Sequence, residues 1–175
     1  MSKLIRSGSE KQTTLWGGAL ARMTSSEGKW LGIPTGHLTI NVELGTSILG
    51  PDTDFNPTTT ADDLCSVIWQ PFHSIRISGC RMFYGQGGGD NTAHVLCLMR
   101  YDIDGNGTLS NGVAVAGPDT DLGVDDYTTL AHRALTMTSN TDVDSSSQVL
   151  IALVFQTIDA NVAFSAKCII EYRKL

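Results

Sequence analysis

Val162-Ala163-Phe164-Ser165-Ala166-Lys167-Cys168-Ile169-Ile170-Glu171-Tyr172 sets an apolar side chain at every second position: Val162, Phe164, Ala166, Cys168, Ile170 and Tyr172. A period of two is the signature of a β-strand with one buried face, since successive side chains point to opposite sides of a sheet. Immediately upstream, Val149-Leu150-Ile151-Ala152-Leu153-Val154-Phe155 is apolar at every position. A run of that length with no polar face reads as a strand buried on both sides, in the middle of a sandwich. A central strand followed by a long half-buried strand is the closing half of a β-sandwich.

Working outward, the same alternation appears in His37 to Leu44, where Leu38, Ile40, Val42 and Leu44 point one way. Leu64 to Trp69 reads as a strand ended by Gln70-Pro71. Ser74 to Tyr84 is another, with Gly79 marking a bulge. Ala93 to Tyr101 follows, then an Asp102-Ile103-Asp104-Gly105-Asn106-Gly107 turn and short strands near Thr108-Leu109 and Val113 to Ala116. Thr129 to Leu135 is compatible with a short helix or an irregular edge, and Leu135 to Thr138 begins a strand. Residues 50 to 63, 85 to 91, 117 to 128 and 139 to 147 are rich in Gly, Pro, Asp, Asn, Ser and Thr, the residues of turns. About nine strands at hairpin-like spacing, without an amphipathic helix, give an all-β jelly-roll sandwich rather than an α/β fold.

Residues 1 to 14 are polar, mixed in charge and without period, and read as an extended N-terminal arm on a single domain of residues 15–175. Leu15 to Gly36 reads as a Gly-rich irregular region anchored by Trp16 and Trp30. Lys3 and Arg6 in the arm, with Trp16 and Trp30 beyond it, are the candidate interface residues. An aromatic with no obvious place in a monomer's core belongs to a subunit contact.

The 175 residues suffice for one well-buried core, and the formal charge of −6 speaks against a binder of nucleic-acid backbones, which carries a basic face. No run approaches the ~20 apolar residues of a membrane helix. The first residues lack the apolar stretch of a signal peptide, so synthesis in a cytoplasm is expected, with retention there or release by another route such as cell lysis. Cys65, Cys80, Cys97 and Cys168 form no C-x-x-C pair, each lies in an apolar stretch, and all four read as buried free thiols.

Chemistry is harder to find. No Gly-x-Ser-x-Gly elbow, His-Glu-x-x-His or reactive-cysteine signature occurs, so the chain is not expected to be an enzyme, and no catalytic residue is assigned. Gly85 to Gly89 lacks the Gly-Lys-Ser/Thr ending of a phosphate loop. Asp102, Asp104 and Asn106 match the first half of an EF-hand loop, including Gly107, but Val113 stands where the bidentate glutamate belongs. Two readings stay open there, a hairpin turn and a calcium site. No other cofactor is expected. Trp16, Trp30, Trp69, Phe72, Phe83 and Tyr84 could also furnish a sugar-stacking platform, with Trp69 and Phe83 better suited to the core.

From about Tyr127 to Leu175 the order of elements resembles the closing half of a TNF-like jelly roll. A loop leads to a strand ending in Leu135-Thr136-Met137-Thr138, a polar turn, the apolar strand Val149–Phe155 and the terminal strand Val162–Tyr172. Jelly rolls of this kind are frequent among tailed-phage virion proteins, as capsid cement or decoration proteins and as fibre tips. The resemblance implies a structural virion protein located in the virion, a homotrimer, with other virion proteins such as the major capsid protein as partners and neither membrane nor nucleic acid among them. The alternative it leaves is a fibre-tip receptor-binding or glycan-binding β-sandwich module.

Overall fold

The computed structural model describes residues 12–16, 23–25, 29–33, 35, 65–87, 94–119, 131–156 and 162–175. In chain order the strands are β1 (Gln12–Trp16), β2 (Met23–Ser25), β3 (Lys29–Gly32), β4 (Ile68–Trp69), β5 (Ile75–Gly87), β6 (His94–Ile103), β7 (Leu109–Asp119), β8 (Ala131–Ala134), β9 (Asp142–Val143), β10 (Gln148–Gln156) and β11 (Val162–Lys174). There is no helix among the described residues. Two antiparallel sheets form the sandwich. The first runs β1-β11-β5-β8, with β2 added to β11 and β9 to β5; the second runs β3-β10-β6-β7, with β4 added to β10. The fold class read from the sequence, an all-β jelly-roll sandwich, is the one observed.

The long strands are the ones whose periodicity is cleanest. On β11, Ala166, Cys168 and Ile170 are buried while Lys167 and Ile169 are half-exposed, as alternation requires. They meet Ile75, Ile77, Cys80 and Met82 of β5, and across the sandwich Leu96 and Leu98 of β6 and Leu150, Ala152 and Val154 of β10. The other face of β10 is just as dry: Val149, Ile151 and Leu153 cluster with Cys97, Met99, Tyr101, Leu109 and Val67. That is why this strand tolerates no polar residue between Val149 and Val154. It lies between β6 on one side and β3 and β4 on the other, and each of its faces belongs to a separate core. Gly32 of β3 lets the chain approach Val67 closely; a Cβ there would lie 2.8 Å from its Cγ1.

The bulge expected at Gly79 is present. The β5–β11 register steps from Glu171 opposite Gly79 to Tyr172 opposite Ile77, leaving Ser78 as the extra residue. Its hydroxyl donates to the Glu171 carbonyl (3.3 Å), and the Glu171 carboxylate takes a 2.6 Å ion pair from Arg81.

The short strands correct the sequence reading. Gln12 to Thr14 fall in the span read as arm, yet they pair with Tyr172 to Ile170 as part of β1. The region from Leu15 to Gly36 holds the rest of β1 together with β2 and β3, so Trp16 and Trp30 stand in strands rather than in an irregular segment. Gln-Thr-Thr-Leu-Trp is β-prone, and a long strand supplies its ladder; the neighbouring glycines hid the signal. Residues 65 to 67 are a turn before β4. Leu109 to Asp119 is one strand instead of two pieces, and of the two readings of Thr129 to Leu135 the edge holds rather than the helix, with Ala131 to Ala134 a regular edge strand on β5. Eleven strands therefore stand among the described residues, where about nine were expected for the chain. The strand expected over His37 to Leu44, the loop of residues 50 to 63, and Lys3 and Arg6 lie outside the described residues.

Cys80, Cys97 and Cys168 are buried, but Cys65 is exposed, because the turn before β4 carries it outward. Burial pushes the Cys97 thiol up to about 12. It raises Cys168 as well, helped by Cys80, whose sulfur lies 3.6 Å away. Thiolates are the reactive form, so one thiol of four is expected to react with an aromatic disulfide reagent at pH 8 in the native protein, and all four in denaturant. Two or more fast native thiols would contradict the burial of Cys80, Cys97 or Cys168.

Candidate functional site

One end of the sandwich gathers the features that stand out. The chain leaves the second sheet at Trp69 and enters the first at Ile75, and the connection of residues 70–74 crosses that end. Several bonds fix it. Gln70 Nε2 donates to the Ser145 carbonyl (2.8 Å), Ser145 N–H to Ser74 Oγ (3.3 Å), and Leu175 N–H to the Ser74 carbonyl (3.0 Å). Pro71 is buried beneath the connection. Phe72, next to it, is 99% exposed, the most exposed large apolar side chain among the described residues, and Leu175 follows at 61%. A ring held fully in water by an ordered loop forgoes about 1.5–3 kcal/mol of burial. Scattered exposed apolar residues need no explanation, but this one borders an open cleft of about 610 Å³.

The cleft is built by three strands. Trp69 comes from the end of β4, Ile75 from the start of β5, and Tyr172 and Lys174 from the end of β11; Pro71, Phe72 and His73 complete it. Trp69 and Tyr172 are half-buried and pack on the inter-sheet core, with ring centroids 5.8 Å apart at 52°. Tilted rings of this kind form an apolar wall rather than the flat platform on which a sugar ring stacks. Phe83, the other aromatic assigned to the core by sequence, is half-buried and lies 4.8 Å from the His132 ring on the edge strand β8. Trp16 pairs through its backbone with Cys168, and Trp30 with Phe155.

Aspartates frame the same end. Asp104 Oδ1 accepts the backbone N–H groups of Asn106 and Thr108, both at 2.8 Å, and the turn closes through Gly107 at φ +84°, a conformation that favours glycine. This is the geometry of a hairpin turn joining β6 to β7. Asp102 takes Gln148 Nε2 on one oxygen (2.9 Å) and Asn111 Nδ2 on the other (3.0 Å). Among the described residues no group of three or more His, Cys, Asp or Glu is arranged to hold a metal ion. Asp144 caps its own turn, accepting from Ser146 N–H (2.9 Å) and Ser146 Oγ (2.8 Å). Asp142 receives the Arg76 guanidinium in a two-pronged pair, and Arg100 donates to its carbonyl.

No protein-family model matches the chain, and no curated protein matches it. Among solved structures it is similar to that of the infectious bursal disease virus Gx strain, with a TM-score of 0.46 and 11% identity over 95% of this chain and 32% of that one. It is similar too to the VP2 subviral particle of infectious bursal disease virus (TM-score 0.46, 10% identity, 96% of this chain and 33% of that one). A third likeness is to the T13 viral particle of the same virus (TM-score 0.42, 11% identity, 97% and 36%). The chain spans about a third of the length of the first of these structures.

The aspartates are expected to make this end acid-sensitive. Hydrogen bonds from Gln148 and Asn111 hold Asp102 below the usual carboxylate range; the Thr108 and Asn106 amides do so for Asp104, Arg76 for Asp142 and the Ser146 amide for Asp144. Each depressed carboxyl contributes stability that is present above its unfolded value of ~4 and is lost as pH falls through its folded value. Asp104, Asp142 and Asp144 are exposed and Asp102 is half-buried, so screening keeps the contributions small, least so at Asp102. The melting temperature is expected to be flat from pH 7 to 5 and to fall between pH 4 and 2, as amide exchange rises first at Asn106, Thr108 and Ser146. Unchanged protection of those amides at pH 2 would show that the carboxylates do not hold the turns.

Proposed function

We propose that this chain is a structural virion protein of the capsid cement or decoration kind, acting by subunit contact rather than by catalysis, as a homotrimer joined to other virion proteins such as a major capsid protein. The observation that carries the reading is the Phe72 end of the sandwich. A rigid, hydrogen-bonded connection presents a 99% exposed phenylalanine beside an apolar cleft. Aromatic anchors in such settings dominate the energetics of protein interfaces. Two antiparallel sheets with a core on both faces of β10 form a stiff block whose loops and edges are free to bind. The closing-half resemblance to trimeric jelly rolls supports the same reading.

Light scattering on a sizing column tests it, together with electron microscopy of the purified chain and sedimentation with capsids that lack it. A species of three 18.7 kDa chains that adds to a capsid lattice is the expected result. A monomer at every concentration that fails to bind capsids would sink the reading.

A further inference from the structure

We infer that the Phe72 end of the sandwich is a self-complementary contact that pairs two copies of this chain about a two-fold axis. This deepens the reading of the chain as an assembling structural protein and rests on it.

Knob and hole lie on one patch. Phe72 projects fully into solvent, and the cleft beside it is walled by Trp69, Tyr172 and Ile75. A two-fold axis passing beside Phe72 carries each ring into the partner's cleft, which is the condition for an isologous contact. The knob is already ordered, since residues 70–74 are bonded to Ser145 and Leu175, so little conformational freedom is lost on docking.

Charge follows the same symmetry. At this end β5 lies between β9 and β11: Ile75 is paired with Val143 on one side and with Lys174 on the other. The flank of β9 ends at exposed Asp144, and that of β11 in exposed Arg173 and Lys174. Rotation about an axis beside Phe72 and normal to this sheet lays the acidic flank of one copy against the basic flank of the other, in both directions at once. A chain with a net charge of −6 would otherwise repel its copies, and this is a place where opposite charges are set side by side.

The size of the patch sets the strength. One aromatic side chain buries ~150–250 Å², so two Phe72 rings with their clefts and Leu175 fall below the ~1,200 Å² of a standard stable interface. The pairing is therefore weak in isolation, with Kd in the range of ~10–100 µM, and gains strength when many such contacts act together in a shell.

The test is sedimentation velocity of the full chain from ~1 µM to ~1 mM. The wild type is expected to gain mass reversibly over that range. Phe72→Asp is expected to raise Kd about 100-fold or more while leaving the melting temperature unchanged, because the side chain is exposed. Asp144→Asn keeps an oxygen for the Ser146 amide and removes only the charge; with Lys174→Gln it is expected to weaken pairing about 3–10-fold, the double variant losing less than the product of the two. Phe72→Asp pairing as the wild type does, or a wild type with no concentration-dependent mass, overturns the inference. So does saturation transfer to a mixture of hexose oligosaccharides that Phe72→Ala abolishes without changing the mass, which would make the cleft a glycan site. The two readings fail separately. Phe72→Asp removes pairing and leaves a threefold species intact, whereas a chain that pairs but never forms a trimer or joins a capsid defeats the virion reading alone.

Discussion

Ile151→Asp is expected to leave the protein unfolded or aggregated at pH 7. Ile151 lies at the middle of β10, opposite Met99 on β6 and Ile68 on β4, and is fully buried. Its face of the sheet holds Val149, Leu153, Cys97 and Tyr101, each with no exposure. A carboxylate placed there has no partner, and the cost of an uncompensated buried charge is ~3–5 kcal/mol on top of the lost apolar burial. That sum is comparable to the whole stability of a typical domain, about 5–15 kcal/mol. Ile151→Ala, expected to lose ~2–5 kcal/mol, keeps the measurement possible if the aspartate variant cannot be purified. Both values come from denaturant unfolding. Should the aspartate variant be as stable as the wild type within ~0.5 kcal/mol, the face would be open to water, and the two-core description of β10 would be wrong.

The placement of Ile151 was readable from the sequence, and the reason shows what sequence can convey. Val149 to Phe155 carries no polar residue, so neither face of the strand can meet water, and the two clusters that meet on β10 are the physical consequence. The alternation in Val162 to Tyr172 likewise passed unchanged into the burial of Ala166, Cys168 and Ile170. Apart from β4, which fell inside a stretch read as strand, strands of two to five residues were missed, because such segments have too few positions to show a period and take their ladder bonds from a long neighbour. β1 on β11 and β8 on β5 are of this kind. The cleft was less legible still. Phe72 was named among the aromatics, but its exposure depends on Pro71 turning inward and on bonds to Ser145, 75 residues away from Gln70. No local pattern encodes that distance. The Asp102–Asn106 turn had two readings that share the same residues, and only the direction of the Asp104 oxygens toward backbone amides brings out the hairpin geometry.

Leu98→Ala is expected to cost about 4 kcal/mol, near the upper end of the range for deleting a buried leucine. The position in that range follows from its neighbours. Leu98 is fully buried in the middle of β6, and its cross-strand partners are Ala116 on β7 and Ala152 on β10. Two alanines leave the space in front of the second sheet to be filled by one side chain, so Leu98 spans toward Met82 and Cys168 of the first sheet within a single cluster. Its removal opens a cavity that neither alanine can reach. Met82 and Met137, flexible and unbranched side chains on the same cluster, have the freedom to lean into it, which limits the loss without abolishing it. Urea unfolding is expected to show a lower midpoint at an unchanged slope, since the surface exposed on unfolding scarcely differs. A double variant with Met82→Leu separates the two contributions, because a stiffer side chain relaxes less and the loss then exceeds the sum of the single changes. A cost below ~1 kcal/mol for Leu98→Ala would mean that the two sheets are not packed against each other at β6, and the sandwich itself would be in error.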